Sequence, residues 1–325
     1  MGKERYFQGT IKAAVDMNAE RQADLLRKAM KGIGTDERRI IQILASHNND
    51  QRQEIANTYK QSFGRDLIKD LKSELCGCFE DAVVALMTLP DQYDAMNVHK
   101  AIKGLGTDES LLIEVLCPRT NQSMTEIKEA FKTLYGKDMM KEVESDISGD
   151  FKRVLVAQLQ GNRTEEDEVD MEKVKKDAQD IYDAGEGRLG TDESLFNKVL
   201  CMRSFPHLRC MFEEYKRVAS KDLKDSIKSE TSGNLKESFL AIVKWTENRP
   251  AYIAERLHKT MAGIGTDDEQ LIRLIVSHSE TSLADVKEEY FKMYGKSLRS
   301  MIEGDTSGDY KKLLCAIVDG TMTPP

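Results

Sequence analysis

The sequence has little proline, tryptophan and histidine, and it has no long apolar run. Its 325 residues include six prolines, one tryptophan and five histidines. Because proline interrupts helices, so few prolines leave room for many of them, and the frequent Leu, Lys, Glu and Met favour helix. No apolar run approaches the ~18 residues of a transmembrane helix. The first 14 residues also lack the apolar core of a secretory signal. The composition therefore predicts an all-α protein without a membrane-spanning segment.

The net charge and the cysteines indicate which partners and which cellular compartment the protein can have. The formal net charge of −8 opposes binding to nucleic acid or to a bare anionic membrane. Six cysteines are scattered along a chain too large to need disulfides, which predicts reduced thiols in a cytosolic protein. Cys76 and Cys78 are too close for an unstrained disulfide, and no second pair completes a zinc site.

One unit is repeated four times along the chain. A glycine-rich segment ending in Gly-Thr-Asp or Gly-Thr-Asp-Glu recurs at 32–37, 104–109, 187–193 and 263–267. An acid followed three residues later by glycine accompanies each segment, and it always lies 40 residues after the second loop glycine: Glu74, Asp146, Glu230 and Asp305. Repeats of this length are typical of arrays of one supersecondary unit. Four equal offsets indicate that loop and acid act together.

The repeats set the predicted domain organisation. We expect an N-terminal tail at 1–17, repeats at 18–88, 90–160, 173–248 and 250–320, and an acidic linker at 161–172. Apolar residues recur at helical spacing within each repeat, which predicts about five short helices and no strand. We expect Thr35 to cap the helix after the first loop. A glycine should end a helix at Gly64, Gly136 and Gly295. Aromatic pairs are predicted to face the core: Tyr59 and Phe63, Phe131 and Tyr135, Phe291 and Tyr294.

The paired loop and acid predict a Ca2+ site. Closely spaced glycines let backbone carbonyls turn towards one point, and the distant acid adds a carboxylate. Carbonyl and carboxylate oxygens suit a hard cation, and calcium tolerates irregular geometry better than magnesium. The predicted ligands are the carbonyls of Met30, Gly32 and Gly34 with Glu74, of Ile102, Gly104 and Gly106 with Asp146, and of Met261, Gly263 and Gly265 with Asp305.

Other interpretations of the glycines fit less well. A phosphate loop would not place Asp36 and Glu37 in the first helical turn, where they repel an anion. An EF-hand needs alternating acids in a 12-residue loop. Simple helix caps would not require a partner acid far along the chain.

One carboxylate per site predicts weak calcium binding in solution and leaves coordination positions for a lipid phosphate. Calcium and phospholipid would then bind cooperatively. Four Ca2+ ions would cancel the formal charge of −8. The residue between the loop glycines is apolar in every repeat, which predicts tips that contact the membrane: Ile33, Leu105, Leu189 and Ile264.

At these residues the sequence resembles an annexin, from about Asn18 to the end of the chain. The resemblance implies a curved disc of four five-helix repeats that binds acidic phospholipids of the phosphatidylserine type and forms homo-oligomers or lattices on membranes. It implies no enzymatic activity. It also implies a peripheral protein of cytoplasmic membranes, with unconventional export as an alternative.

The resemblance also extends to less regular positions. In the third repeat, the carbonyls matching the family variant are Gly185, Arg188 and Gly190, with Glu230. Secondary calcium positions would fall on Thr35 with Glu37, Thr107 with Glu109, and Thr191 with Glu193. Polar positions between the two halves, linked in the family to cation conductance, match Asp94, Glu114, Arg119 and Arg273. Asn97 stands where an acid is expected, which weakens a channel, and we favour buried salt bridges between the halves there.

Two other classes of function stay open. A calcium-independent helical scaffold would bind proteins and would not pellet with acidic vesicles when calcium is added. An enzyme would need a positioned base. The five histidines are scattered, with no serine or cysteine nucleophile arranged beside one of them in the sequence.

Overall fold

The computed structural model describes residues 7–188 and 190–320. Helices make up the described regular structure, which contains no strand, so the all-α prediction is confirmed. In chain order they are α1 Ala19–Ala29, α2 Glu37–Ala45, α3 Asn49–Phe63, α4 Leu67–Glu74, α5 Gly77–Met87, α6 Pro90–Ile102, α7 Glu109–Leu116, α8 Asn121–Tyr135, α9 Met139–Asp146, α10 Gly149–Gln160, α11 Met171–Ala184, α12 Glu193–Met202, α13 Phe205–Ala219, α14 Leu223–Glu230, α15 Gly233–Met261, α16 Asp268–His278, α17 Leu283–Tyr294, α18 Leu298–Asp305 and α19 Gly308–Asp319. Within the described ranges, no helix is long and apolar enough to cross a membrane.

The long element α15 contains two helices joined at a kink. Asn248 has φ −154° and ψ 91°, which is not helical. Pro250 follows two residues later, where it lacks an N–H and suits the first turn of a new helix. Counted this way, the described chain holds five helices in each of the four repeats, as the apolar spacing predicted.

The described chain divides into two compact units, one of residues 7–89 and 250–320, the other of residues 90–249. In the first unit, α16 packs on α5, and α19 packs on α2 and α5, so repeats 1 and 4 share one core. In the second unit, α10 packs on α7, α8, α9 and α12, and α11 packs on α13. Most core side chains are the apolar ones that recur at helical spacing, such as Ile40, Ile43 and Leu44.

All three predicted helix ends at glycine are confirmed. Gly64, Gly136 and Gly295 have φ near +66°, the left-handed conformation that glycine adopts without strain. In the third repeat Ser220 takes this role with φ 53°, a conformation that is uncommon for a residue with a side chain.

Two local predictions were wrong. Asp36, not Thr35, caps α2, because its carboxylate accepts a hydrogen bond from the N–H of Arg39 at 2.9 Å. Phe291 is not in the core, since 59% of its surface is exposed. The fully buried ring is that of the preceding residue, Tyr290, whose hydroxyl lies 3.1 Å from Nδ1 of His258.

Within the first unit, the N-terminal segment contacts repeat 4. The N–H groups of Thr10 and Ile11 both donate to the carbonyl of Ser279, at 2.7 and 2.9 Å. Beside it, the buried Arg52 forms an ion pair of 2.6 Å with Glu280 and donates to two backbone carbonyls. A guanidinium that is 1% exposed requires such partners, because an unpaired buried charge is strongly destabilising.

Candidate functional site

Each glycine-rich segment forms a loop between two helices, closed by one backbone hydrogen bond. In the first repeat the N–H of Asp36 donates to the carbonyl of Ala29 at 2.9 Å. The same bond joins Asp108 to Ala101 at 2.8 Å and Asp267 to Thr260 at 2.9 Å. In the third repeat it joins Asp192 to Ala184 at 2.8 Å, so this loop is one residue longer. The extra residue explains why its sequence matched the other three only loosely.

The loop glycines adopt backbone conformations that other residues disfavour. Gly32, Gly104 and Gly263 have φ between +116° and +127°, and the second glycine of each of these loops has φ between +85° and +89°. A side chain at such φ values is strained even where space is available. The requirement for glycine is therefore a property of the backbone path and not of crowding.

A threonine hydroxyl links each loop to the acid predicted to act with it. Thr35 donates to Oε2 of Glu74 at 3.2 Å, and Thr191 donates to Oε2 of Glu230 at 3.0 Å. Thr266 donates to Oδ2 of Asp305 at 2.5 Å, and Thr107 makes a short hydrogen bond to Asp146. Each pair spans 39 residues of sequence. All four acids thus lie beside their own loops, as the constant offset predicted.

The four acids remain accessible to solvent. Glu74 and Asp146 are exposed, and Glu230 and Asp305 are partly exposed. Each of the four ends a short helix, and each is followed by a helix that begins three residues later at a glycine. Helices on both sides hold the backbone of the acid in place while its carboxylate stays accessible.

The third loop has contacts of its own. Gly185 lies close to Glu230, because a Cβ added to it would come within 3.4 Å of the Glu230 Cγ. The carbonyl of Gly185 accepts a hydrogen bond of 3.0 Å from the N–H of Arg188. Glu186 lies next to this loop and pairs with Lys221, which holds the pKa of that carboxyl below its usual value. Leu189, a predicted membrane-contacting tip, lies outside the described residues.

The other three predicted tips are fully exposed. Ile33, Leu105 and Ile264 have relative exposures of 109%, 109% and 110%. Their neighbours at the loop bases are buried, with Met30 at 4% and Met261 at 3%. Each of these three loops therefore presents one apolar side chain to solvent.

The remaining predicted positions lie at the loop ends. Glu37, Glu109 and Glu193 are the first residues of α2, α7 and α12, directly after the capping aspartates. The carbonyls predicted as ligands come from Met30, Gly32 and Gly34, Ile102, Gly104 and Gly106, Gly185, Arg188 and Gly190, and Met261, Gly263 and Gly265. Within the described part of the chain, no three His, Cys, Asp or Glu side chains are grouped to hold a metal ion. Any metal at these loops would therefore depend on backbone oxygens.

One pair from the polar positions is an ion pair inside the second unit. Arg119 lies 2.6 Å from Oδ2 of Asp94, with both side chains largely buried. Asn97 donates to the carbonyl of Tyr93 at 2.8 Å. These contacts give the pair a structural role within the second unit, and the expected salt bridges between the two halves stay a prediction.

Sequence reasoning missed one feature near the loops. A cavity of about 470 Å³ lies in the first unit between the loop-and-acid segments of repeats 1 and 4. Its lining includes Glu37 and Glu74 from repeat 1 and Asp268, Asp305 and Tyr310 from repeat 4. The repeat pattern alone could not show it, because it depends on which two repeats pack together.

The chain is similar to known proteins over nearly its whole length. The annexin family model matches residues 21–86, 93–157, 176–242 and 252–317. Annexin A7 of Homo sapiens is 50% identical over 311 residues, which cover 96% of this chain and 64% of that protein. Annexin A4 of Homo sapiens is 50% identical over 312 residues, covering 96% and 98%. This chain thus spans less than two thirds of annexin A7 but nearly all of annexin A4.

Solved structures agree with this relationship. The structure titled annexin III superposes with a TM-score of 0.94 at 45% identity, covering 96% of this chain and 97% of that one. A structure of calcium-bound annexin (Sm)1 gives a TM-score of 0.87 at 32% identity, covering 97% and 93%. In every repeat, the loop threonine is hydrogen-bonded to an acid 39 residues further along the chain. Because the family model also matches every repeat, the chain belongs to the annexin family.

Proposed function

We propose that this protein binds acidic phospholipid membranes in a calcium-dependent manner, through the four loops and their partner acids. The observation that carries the proposal is the hydrogen bond from each loop threonine to the acid, which holds one carboxylate at the open side of every loop. Annexins as a family bind phospholipids with calcium. A calcium-bound relative at 32% identity supports the same cofactor here.

The donor set of each loop fits calcium. Backbone carbonyls from the glycine loop and one carboxylate supply hard oxygen ligands but too few to fill six to eight positions. The remaining positions would be open to water or to a lipid phosphate. Calcium supplies the positive charge that joins protein oxygens to phosphate. The chain's own contribution is to hold the loop backbone in its positive-φ conformation, with the acid beside it.

The exposed tips add an apolar contribution. Ile33, Leu105 and Ile264 stand free of the protein surface, so burying them at the headgroup level would release ordered water around each side chain. Because the tips lie beside the proposed metal positions, insertion and phosphate binding would reinforce each other. The proposal therefore includes peripheral attachment without a catalytic step, to lipids of the phosphatidylserine type, with lateral assembly on the membrane surface.

A vesicle-pelleting titration tests the proposal. The full chain is mixed with phosphatidylcholine vesicles or with vesicles that also contain phosphatidylserine, and calcium is raised in steps. We expect pelleting only with the acidic vesicles, increasing with calcium and reversed by a chelator. Pelleting that is unchanged by calcium would instead support a calcium-independent scaffold, and absence of pelleting at millimolar calcium would refute membrane binding.

A further inference from the structure

The segment between α10 and α11 carries one threonine directly ahead of its acidic run. Thr164 is followed by the four acids of residues 165–168. Residues 162–170 form no helix, and all four acids are exposed. The Thr164 side chain is partly exposed, and its hydroxyl makes no hydrogen bond within the described residues. The segment therefore offers an uncommitted hydroxyl in an accessible stretch without regular structure.

Every other threonine that directly precedes an acid already uses its hydroxyl. In the four glycine loops the threonine hydroxyl is bonded to the partner acid. Thr125 lies inside α8 and donates to the carbonyl of Asn121 at 3.1 Å. Thr246 lies inside α15 and donates to the carbonyl of Ile242 at 2.7 Å. Thr164 is thus distinguished from the other six by its free hydroxyl as well as by its four acids.

The residue before Thr164 is an arginine that is buried without an acidic partner. Arg163 is 7% exposed. Its Nη1 donates to the carbonyl of Arg203 at 2.7 Å, and its Cζ lies 4.5 Å from the centre of the Phe205 ring. Nε and Nη2 are buried and make no hydrogen bond within the described residues. A buried charge in this state is destabilising, because no anion accepts its N–H groups.

The two unused nitrogens of Arg163 form the edge of a guanidinium that binds an oxyanion side-on. Arg65 uses this edge for Asp70, with Nε and Nη2 donating to the two carboxylate oxygens at 2.6 and 2.7 Å. Arg203 does the same for Asp177, at 2.6 and 2.9 Å. Two oxygens of a carboxylate or of a phosphate would complete the equivalent edge of Arg163.

The side chains around Arg163 do not supply such an anion. The ionisable groups that act on it are the thiols of Cys117 and Cys201. Burial raises the pKa of both thiols, that of Cys201 to about 11, so both are neutral near pH 7. An anion for this edge therefore has to be added to the side chains that are present.

Thr164 and the guanidinium of Arg163 contact adjacent peptide groups. The N–H of Thr164 donates to the carbonyl of Met202 at 2.9 Å, next to the Arg203 carbonyl that Arg163 contacts. Because consecutive Cα atoms are about 3.8 Å apart, the Arg163 side chain folds back towards its own neighbour. Asn121 holds the backbone here through two hydrogen bonds with the N–H and the carbonyl of Arg163. A group added to the Thr164 hydroxyl is thus close to the unused edge.

We propose that Thr164 is a phosphorylation site for a serine/threonine kinase that recognises acidic residues after the acceptor, and that Arg163 holds the phosphate. Asp167 and its acidic neighbours provide the negative charge that a basic substrate groove selects. ATP supplies the phosphoryl group: the Thr164 oxygen bonds to the γ-phosphorus, the bond to the bridging oxygen breaks and ADP leaves, and the hydroxyl proton passes to the base of the kinase. Two phosphate oxygens then accept from Nε and Nη2 of Arg163.

The acids and the arginine act in opposite directions on the pKa of the phosphate. A phosphothreonine loses its second proton near pH 6. The four carboxylates raise this pKa, because they repel the dianion, whereas a bonded guanidinium lowers it. The acids are exposed, so solvent and salt screen their effect, while Arg163 is buried and screened less. In the folded chain the pKa therefore falls below its value in the unfolded chain.

The first experiment incubates the full chain with casein kinase 2, which prefers acidic substrates, and ATP, and maps the phosphate by mass spectrometry. We expect phosphate on Thr164 and loss of that phosphopeptide in Thr164→Val. Asp167→Asn should slow the reaction roughly tenfold, about the effect of one hydrogen bond to a charged group. The matched control is Glu172→Gln, an exposed acid beyond the segment, which should react at the wild-type rate. No phosphate on Thr164, or equal rates for the two acid variants, would overturn the site.

The second experiment follows the phosphorus-31 NMR signal of the phosphorylated chain with pH, folded and in urea. We expect the lower pKa in the folded chain, and a folded value at or above the urea value would overturn Arg163 as the partner. This comparison uses the wild-type chain, so it does not depend on the folding of a variant. In a phosphorylated Arg163→Gln chain with wild-type circular dichroism the difference should disappear, and its persistence would assign the phosphate to another cation.

Discussion

The hydroxyl of Thr266 donates a hydrogen bond of 2.5 Å to the carboxylate of Asp305, which lies 39 residues further along the chain. The same pairing of threonine and acid occurs in the other three repeats. It keeps the carboxylate facing the loop before any ligand is bound. Preorganisation of this kind reduces the entropy lost when a ligand orders the site.

Replacing Glu74, Asp146, Glu230 and Asp305 together by alanine should abolish calcium-dependent pelleting with acidic vesicles. The loops would keep their carbonyl oxygens but lose the only side-chain anion in each predicted donor set. Because the four acids are exposed or partly exposed, circular dichroism should show nearly unchanged helix content. A quadruple variant that still pellets with calcium would mean that the sites are misplaced.

The exposed tips should contribute to membrane binding and not to folding. Changing Ile33, Leu105 and Ile264 to asparagine should weaken vesicle binding by up to about 2 kcal/mol for each tip that is buried in the membrane. The melting temperature without lipid should not change, because the three side chains make little contact with the protein.

Val15→Asn is the matched control for the tips, since Val15 is also an exposed apolar residue, at 96%, but lies in the N-terminal segment. Its vesicle binding should equal that of the wild-type chain. Equal losses in the control and the triple variant would indicate a general effect of surface polarity, contrary to insertion of the loops.

Alanine at Gly263 and at Gly304 should have opposite effects on stability. Gly263 has φ +127°, which strains any residue with a Cβ, so we expect a loss of roughly 1–3 kcal/mol. Gly304 lies inside α18 with open space around it, and alanine should stabilise that helix by about 1 kcal/mol. Chemical denaturation measures both changes.

The Gly263 variant should also require more calcium for vesicle pelleting, because the loop carbonyls would be displaced. A Gly263→Ala chain with wild-type stability and calcium requirement would show that the left-handed path is not needed for the site.

His47 should make stability depend on pH below neutrality. Burial lowers its pKa from 6.5, with Arg52 acting in the same direction against the hydrogen bond to the Ile43 carbonyl. Nδ1 lies 2.7 Å from that carbonyl oxygen. The other ring nitrogen, Nε2, is buried without a hydrogen-bond partner, so a second proton placed on it would have no acceptor. The folded state therefore favours the neutral ring.

The direction in which stability changes with pH follows from proton uptake by the unfolded chain. Below pH 6.5 the unfolded chain binds a proton at His47 that the folded chain does not, so the free energy of unfolding falls as the pH decreases. The slope from this one group is at most about 1.4 kcal/mol per pH unit. Denaturation at several pH values should show a smaller slope for His47→Gln than for the wild-type chain. Identical slopes would contradict the assignment.

Much of the fold was readable from residue spacing. Apolar positions at helical period predicted five helices per repeat, and the described chain has them. The glycines that end α3, α8 and α17 were identified because no other residue enters the left-handed conformation so easily. The wrong predictions each chose the residue next to the correct one. Thr35 and Asp36 are both good capping residues, and only the structure shows that the threonine hydroxyl is used by Glu74.

The core positions show a similar limit. Phe291 and Tyr290 are adjacent aromatic residues on α17, and helical spacing did not show which of them faces inward. The packing of neighbouring helices determines which residue is buried: the Tyr290 hydroxyl contacts His258, while most of Phe291 is exposed. The choice depends on a helix that lies 32 residues earlier in the sequence.

By itself, the sequence determined the helical class, the fourfold repetition and the association of each glycine loop with one acid, because these follow from short-range backbone preferences and from a spacing kept in every copy. The tertiary structure decided which repeats share a core, and so placed Glu37 and Asp268, and Phe79 and Tyr310, around one cavity. Packing between distant helices depends on side-chain fit across many residues of chain. No local pattern encodes that fit.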